Sequence, residues 1–164
     1  PLNLAFRQAD EILGNAIKCM TEITSHSGLV NIDFADMRSI MSSGGVAMIG
    51  MGEGQGANRA SDAVTAALTS PLLELDIADS KGALVNVTGG DDMTLQEAHE
   101  VVREVHSKIN KDARIIWGAS IDSTLEHQIR VMLVVTGVKS SQILGPPDGV
   151  DDGMQSKYGI DFVH

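Results

Sequence analysis

Four apolar stretches of strand length, separated by segments with helical periodicity, constrain the fold of this chain more than any other feature. Short apolar runs bounded by glycine or proline predict strands, whereas apolar residues at alternating spacings of three and four predict helices. The predicted strands cover residues 46–50, 83–88, 114–117 and 130–136, and the predicted helices between them cover residues 57–69 and 94–109. This order predicts an α/β domain of the α+β-like kind, with a four-stranded mixed sheet covered by helices.

A long amphipathic helix is predicted before this domain, from Leu2 to about Thr24. Its apolar residues recur every three or four positions and form one stripe that needs a partner surface. They are Phe6, Ala9, Leu13, Ala16, Met20 and Ile23. The single cysteine, Cys19, lies among them and is expected to pack as a small buried hydrophobe. Because the sequence starts at Pro1 inside this helix, we expect a truncated or processed piece of a longer protein.

Composition restricts the classes of partner. The 164 residues are 43% hydrophobic, enough for one core, and carry a formal net charge of -10. Phosphate backbones are bound by clustered Lys and Arg, so nucleic acid is excluded as a partner. No apolar run approaches the roughly 18 residues that span a bilayer. We therefore expect a soluble, cytoplasmic protein without direct membrane insertion.

The pattern divides the chain into three segments. We expect residues 1–27 to form the long helix, residues 28–138 to form the domain, and residues 139–164 to form a flexible linker with a terminal peptide. The linker is rich in Ser, Gly, Pro and Asp, which cannot bury enough apolar surface to order themselves. The final residues, YGIDFVH, regain apolar side chains, so we expect a short docking motif at 154–164.

A glycine-rich segment between a predicted strand and helix, GMGEGQGAN, resembles the turn that cradles a dinucleotide pyrophosphate. Its glycines alternate at positions 50, 52, 54 and 56, which is imperfect spacing, and Glu53 adds negative charge where a phosphate would lie. We interpret the segment as a flexible turn. His99 and His106 have no further ligand at suitable spacing, so no metal site is predicted.

The most informative polar cluster is the segment from Asn31 to Asp36. An amide and two carboxylates, those of Asp33 and Asp36, fall within six positions at a loop-to-helix junction. Asp33 and Asp36 are three residues apart and can point the same way, and Phe34 can anchor the loop by burying its ring. Spacing alone leaves two readings open, a catalytic site or a helix cap with Asp36 in the first turn, where the helix dipole favours a carboxylate.

These residues closely resemble a known family. The segment GLVNIDFADMRSIM is similar to the hydrolysis-activating loop of FtsZ, the prokaryotic tubulin homologue of cell division. The resemblance covers nearly everything from Leu2 to Val138. It continues through GGVAMIGMGEG, SPLLE, GALVNVTGG, IIWGASID and VTGV.

The resemblance implies the function of each segment. It implies that the long helix joins an N-terminal GTP-binding domain to this C-terminal domain. It also implies that Asn31, Asp33 and Asp36 act on GTP held by the next identical subunit in a longitudinal filament. Phe6 and Asp10 match positions that contact the guanine base, where they share one helix face.

The resemblance also implies what the chain needs from outside. The family's phosphate motif, GGGTGTG, is absent from this sequence. GTP, with Mg²⁺, is therefore expected in the full-length protein, and the isolated chain is expected to be inactive. The terminal peptide is expected to bind a membrane-tethering protein at the division site.

Two alternatives remain open at this point. The chain could be a stand-alone regulatory or ligand-binding α/β module in which the acidic segment only caps a helix. It could instead be a nucleotide-cofactor enzyme that uses the turn from Gly50 to Gly56.

Overall fold

The structure is a computed structural model, and it describes residues 2–25, 28–42, 45–70 and 77–138. Helices and strands follow the predicted order, with a short 3-10 turn at Ile77–Asp79. The helices are α1 (Leu2–Ser25), α2 (Phe34–Met41), α3 (Arg59–Leu68) and α4 (Leu95–Lys108), and the strands are β1 (Val46–Gln55), β2 (Gly82–Gly89), β3 (Arg114–Ile121) and β4 (Gln128–Val138). The predicted linker and terminal peptide, 139–164, lie outside the described residues.

The four strands form one mixed sheet in the order β1-β4-β2-β3. Strand β4 runs antiparallel to both β1 and β2, whereas β2 and β3 are parallel and are connected through α4. Parallel neighbours need such a crossover, because a tight turn cannot join them. The predicted four-stranded mixed sheet covered by helices is therefore confirmed.

Alternate residues of the central strands face opposite sides of the sheet. Ala83, Val85 and Val87 pack in the core formed with α3 and α4, whereas Leu84 packs in a second cluster with α1 and α2. Side chains alternate along a strand. A strand that is covered on both faces is therefore apolar at almost every position, which explains the unbroken apolar run in β2.

Helix α1 packs against the second cluster through residues in its middle. Ala16 and Cys19 are buried and Met20 is half-buried, which confirms the predicted packing of Cys19. Phe6 is 62% exposed and Leu13 is 53% exposed, so the described part of the domain leaves some of the predicted stripe uncovered. Although α1 has 24 residues, neither it nor another helix in the described ranges is apolar enough to cross a bilayer.

The glycine-rich segment belongs to β1, and the prediction that it forms a flexible turn is wrong. The strand pairs with β4 along its whole length. A side chain at Gly52 would collide with the backbone of Ala63, and one at Gly54 with the backbone of Arg59. Glycine is therefore needed at these positions because α3 packs very close to the strand. The chain turns only at Gly56, whose φ of 86° lies in the left-handed region.

Helices α2 and α4 both begin with a side-chain cap. At the start of α2 the Asp33 side chain accepts a hydrogen bond from the backbone N–H of Ala35. At the start of α4, Thr94 and Glu97 form a reciprocal capping box. Each cap satisfies backbone N–H groups that have no partner within the helix.

Candidate functional site

The acidic loop, defined as residues 28–36 and including the first residues of α2, is attached to the outer edge of the sheet. Val30 forms a two-bond antiparallel bridge with Ala119 of β3, with N···O distances of 3.1 and 3.0 Å. Ile32 is only 6% exposed and lies beside Gly118, where a Cβ would touch it. These contacts hold the loop backbone without using its polar side chains.

Phe34 does not anchor the loop, so that prediction is wrong. Its side chain is 64% exposed at the first position of α2. Ile32 takes the anchoring position instead, because the absence of a side chain at Gly118 leaves room for it. The buried face of α2 is supplied by Met37 and Ile40.

Asn31 lies at the exposed turn of the acidic loop. Its Oδ1 accepts a hydrogen bond of 2.6 Å from the backbone N–H of Gly28, which closes the turn. Within the described residues its amide nitrogen has no hydrogen-bond partner. The amide group is thus oriented by one contact and keeps two N–H donors for another group.

Asp33 is the N-cap of α2. Its φ of -72° and ψ of 138° are extended, and its Oδ1 accepts from the N–H of Ala35 at 3.1 Å. The prediction that this segment caps a helix is therefore confirmed for Asp33. The side chain is exposed, and a carboxylate has more lone pairs than this one contact uses.

Asp36 forms an ion pair that the sequence did not predict. Its Oδ1 lies 2.8 Å from Nη2 of Arg114, the first residue of β3. The same guanidinium donates through Nη1 to Oγ of Ser39 at 2.8 Å. The side chains of Asp36 and Arg114 are 48% and 57% exposed. No local spacing signals this contact, since the partners are 78 residues apart.

The structure does not bring the two predicted sets of site residues together. Phe6 and Asp10 are exposed on the first turns of α1. Among the described residues, no hydrogen bond or ion pair joins either of them to the acidic loop.

A buried arginine cluster escaped the sequence prediction. Arg59, only 7% exposed, donates from Nε to Glu97 at 2.6 Å and from Nη1 to Asp92 at 2.7 Å. Nδ1 of His127 lies 2.9 Å from Asp92, and His127 itself has a positive φ of 55°. No local sequence pattern connects these two carboxylates with an arginine on another helix.

The pKa shifts of the charged residues in this cluster agree with their contacts. The hydrogen bond from Arg59 holds the pKa of Glu97 below its usual value, and Thr94 adds to this. The pKa of Asp92 is lowered by the contact with His127 and then by Arg59. The two carboxylates raise the pKa of Arg59, Glu97 most of all, against the opposing effect of burial. The cluster joins the start of α3 to the start of α4.

A small cavity lies between α1 and the sheet. Its volume is about 140 Å³, and Lys18, Glu53, Asp122 and Arg130 are among the residues that line it. Hydrogen bonds from Thr124 lower the pKa of Asp122. Pockets for drug-sized ligands have about 300–1,000 Å³, so this cavity is too small for a nucleotide. The described residues also contain no group of three or more His, Cys, Asp or Glu placed to hold a metal ion.

A family match decides what this domain is. The model for the FtsZ family, C-terminal domain, matches residues 45–139, which is more than half of the chain. The chain belongs to the FtsZ family. The matched range contains the whole sheet with α3 and α4, so this unit is an FtsZ C-terminal domain.

Proteins named FtsZ are similar to this chain over nearly its whole length, including α1 and the acidic loop. Cell division protein FtsZ 1 of Archaeoglobus fulgidus is 54% identical over 163 residues, covering 99% of this chain and 44% of the relative. Cell division protein FtsZ of Haloferax mediterranei is 52% identical over 164 residues, with the same two coverages. The chain thus spans less than half of the length of these FtsZ relatives.

A solved FtsZ structure has the same fold. The structure described as an empty FtsZ dimer from M. jannaschii matches with a TM-score of 0.79 and 52% identity. The match covers 85% of this chain and 40% of that chain. The predicted membership of the FtsZ family and the predicted fold are both confirmed.

Proposed function

We propose that this chain is the C-terminal half of a filament-forming cell-division GTPase and supplies the acidic loop to GTP held by an adjacent identical subunit. One observation carries the proposal. Asn31, Asp33 and Asp36 are accessible on a loop whose backbone is held by Val30 and Ile32. A group that acts on the nucleotide of another subunit must be reachable from outside and also fixed in place.

The chemistry of GTP hydrolysis suits these side chains. The water that attacks the γ-phosphate must lie in line with the leaving oxygen, and catalysis is mostly positioning and electrostatic stabilisation. Asp33 and Asp36 would stabilise the positive character that develops on that water. The amide N–H donors of Asn31, which have no partner among the described residues, would orient the water or a phosphate oxygen. Because two carboxylates repel a triphosphate, they are expected to serve turnover and not binding.

The proposal assigns GTP and Mg²⁺ to a nucleotide-binding domain that precedes this chain. The glycine-rich segment here is a strand against α3 and offers no loop that surrounds phosphates. Phe6 and Asp10 would contribute to the edge of the base site, with the ring against guanine and the carboxylate accepting from its N–H donors. The isolated chain is proposed to be inactive.

The proposal keeps the division into a linking helix at 1–27, a domain at 28–138 and a tail at 139–164. The apolar residues Phe6 and Leu13 of α1 support a partner for that helix, since they stay exposed among the residues that the structure describes. Residues 154–164 are proposed to bind a membrane-tethering protein, with the filament lying in the cytoplasm at the division site.

The alternative of a stand-alone regulatory or ligand-binding module treats the acidic loop as a helix cap. Asp33 does cap α2, but the side chains of Asn31 and Asp36 take no part in that cap. The second alternative, a cofactor enzyme that uses Gly50 to Gly56 as a phosphate turn, loses its basis because residues 50–55 lie in β1.

The test uses the full-length protein, meaning this chain preceded by its nucleotide-binding domain. Asp33→Asn and Asp36→Asn are each expected to lower turnover by roughly 10², the usual cost of removing an acid-base or positioning group. GTP affinity should stay within about twofold, because the lost interactions belong to the transition state. Asp62→Asn is a matched control, since Asp62 is also in the first turn of a helix, α3. Unchanged turnover of both variants, or loss of GTP binding, would contradict the proposal.

A further inference from the structure

We propose that Arg114 is a positioning residue for hydrolysis, which holds the carboxylate of Asp36 in its working orientation through one guanidinium that also binds Ser39. This inference rests on the proposed function of the acidic loop. It adds a residue from β3 that belongs neither to the loop nor to α2.

The geometry is that of a fork across one helical turn. Nη2 of Arg114 lies 2.8 Å from Oδ1 of Asp36, and Nη1 lies 2.8 Å from Oγ of Ser39. Residues three apart on a helix lie on the same face, so both acceptors are presented to one planar group. A guanidinium with two fixed partners has less rotational freedom than one in a single ion pair.

The arginine itself is held by the sheet. Its backbone N–H donates to the carbonyl of Lys81 at 3.1 Å, and it is paired with Gly82 at the start of the parallel ladder between β2 and β3. Because β2 holds the backbone of Arg114, the guanidinium of Arg114 holds the Asp36 side chain in a defined position relative to the sheet.

The loop backbone does not depend on this ion pair. The bridge between Val30 and Ala119 and the burial of Ile32 hold the loop independently. Ion pairs between exposed side chains contribute little to stability. What the Arg114 contact uniquely determines is the rotation of one carboxylate about its side-chain bonds.

The contact also supplies charge. A loop with two carboxylates that approaches a triphosphate meets repulsion. The guanidinium offsets the negative charge of the Asp36 carboxylate itself, whereas the contact described for Asp33 is a neutral backbone N–H from Ala35. Arg114 thereby places a positive charge beside Asp36 and orients its carboxylate without requiring a cation from the nucleotide side.

The test is a double-mutant cycle in the full-length protein between Arg114→Gln and Asp36→Asn, with turnover expressed per sedimentable subunit. Arg114→Gln alone is expected to lower kcat about tenfold, because small misplacements of a catalytic group are costly. The KM for GTP should be unchanged. In the Asp36→Asn background the same change should have no further effect, since the group that it positions is gone. Arg114→Lys, which keeps the charge and loses the fork, should recover only part of the turnover.

Arg130→Gln is the matched control. Arg130 also forms an exposed ion pair, 2.7 Å from Glu53, but lies away from the acidic loop on β4. It should leave kcat unchanged. An equal loss from Arg114→Gln in both backgrounds, or a loss of assembly with normal turnover per assembled subunit, would overturn this inference alone. Full turnover of Asp36→Asn would overturn the proposed function as well.

Discussion

The backbone N–H of Asp36 donates a hydrogen bond of 3.0 Å to the backbone carbonyl of Asp33. This first turn of α2 fixes the spacing of the two residues, while their side chains have different partners. Asp33 caps the helix through Ala35, and Asp36 pairs with Arg114. The two carboxylates are therefore expected to affect hydrolysis alike and folding differently.

The first prediction asks whether Asp33 stabilises the fold as the N-cap of α2 or through its negative charge. Asp33→Ala should lower the free energy of unfolding by about 1 kcal/mol, because it removes the N-cap acceptor. Asp33→Asn keeps a cap acceptor and should change the free energy of unfolding by only a few tenths of a kcal/mol. Urea unfolding of this chain measures both. Equal destabilisation by the two variants would show that the cap is not the source of the effect.

The second prediction concerns the close approach of α3 to β1. Gly52→Ala should destabilise the chain by roughly 1–3 kcal/mol, because its Cβ would overlap the backbone of Ala63. Gly14→Ala is the control, since nothing lies within 4 Å of its added Cβ and it stands inside α1. There alanine should stabilise the helix by about 0.5–1 kcal/mol. A tolerated Gly52→Ala would mean that the helix can move away at little cost.

Gly52 and Gly54 show why sequence patterns alone did not predict the full length of β1. Glycine is unfavourable in strands, so the pattern placed the end of the strand near Gly50, whereas packing against α3 requires glycine beyond that point. The cap at Asp33 was predictable, because capping depends on a few adjacent residues. The contact of Asp36 with Arg114 was not, because it depends on where β3 lies. Phe34 was expected to be buried, as aromatic rings often are, but Ile32 already fills the anchoring space.

The third prediction concerns pH. The folded-state pKa values of Glu97 and Asp92 are lowered by Arg59 and, for Asp92, first by His127. Their stabilisation is therefore fully present above the unfolded carboxyl pKa of about 4 and is lost as pH falls through the folded-state values. The urea midpoint should fall more steeply below pH 5 in the unmodified chain than in Arg59→Met.

Arg103→Met provides the comparison for this pH series, because Arg103 is an exposed residue of α4. It should leave the acid dependence as in the unmodified chain. If Arg59→Met has the same acid dependence as well, the cluster around Arg59 does not contribute to the loss of stability in acid.

The fourth prediction tests whether the acidic loop acts on the nucleotide of another subunit. Two full-length variants are prepared, one with Asp36→Ala and one with a disabled phosphate-binding loop in the preceding domain but an intact Asp36. Each alone should hydrolyse GTP at background rates. In a head-to-tail filament of both, some contacts would join intact nucleotide to an intact acidic loop.

The deciding measurement is GTP turnover of this mixture, with co-sedimentation recording that both variants enter the same filaments. Our account predicts that mixing restores hydrolysis well above the sum of the two separate variants, because Asp36 of one subunit serves GTP on its neighbour. If the variants co-assemble and turnover stays at background, the carboxylates act within one subunit or only stabilise the helix, and the account is wrong.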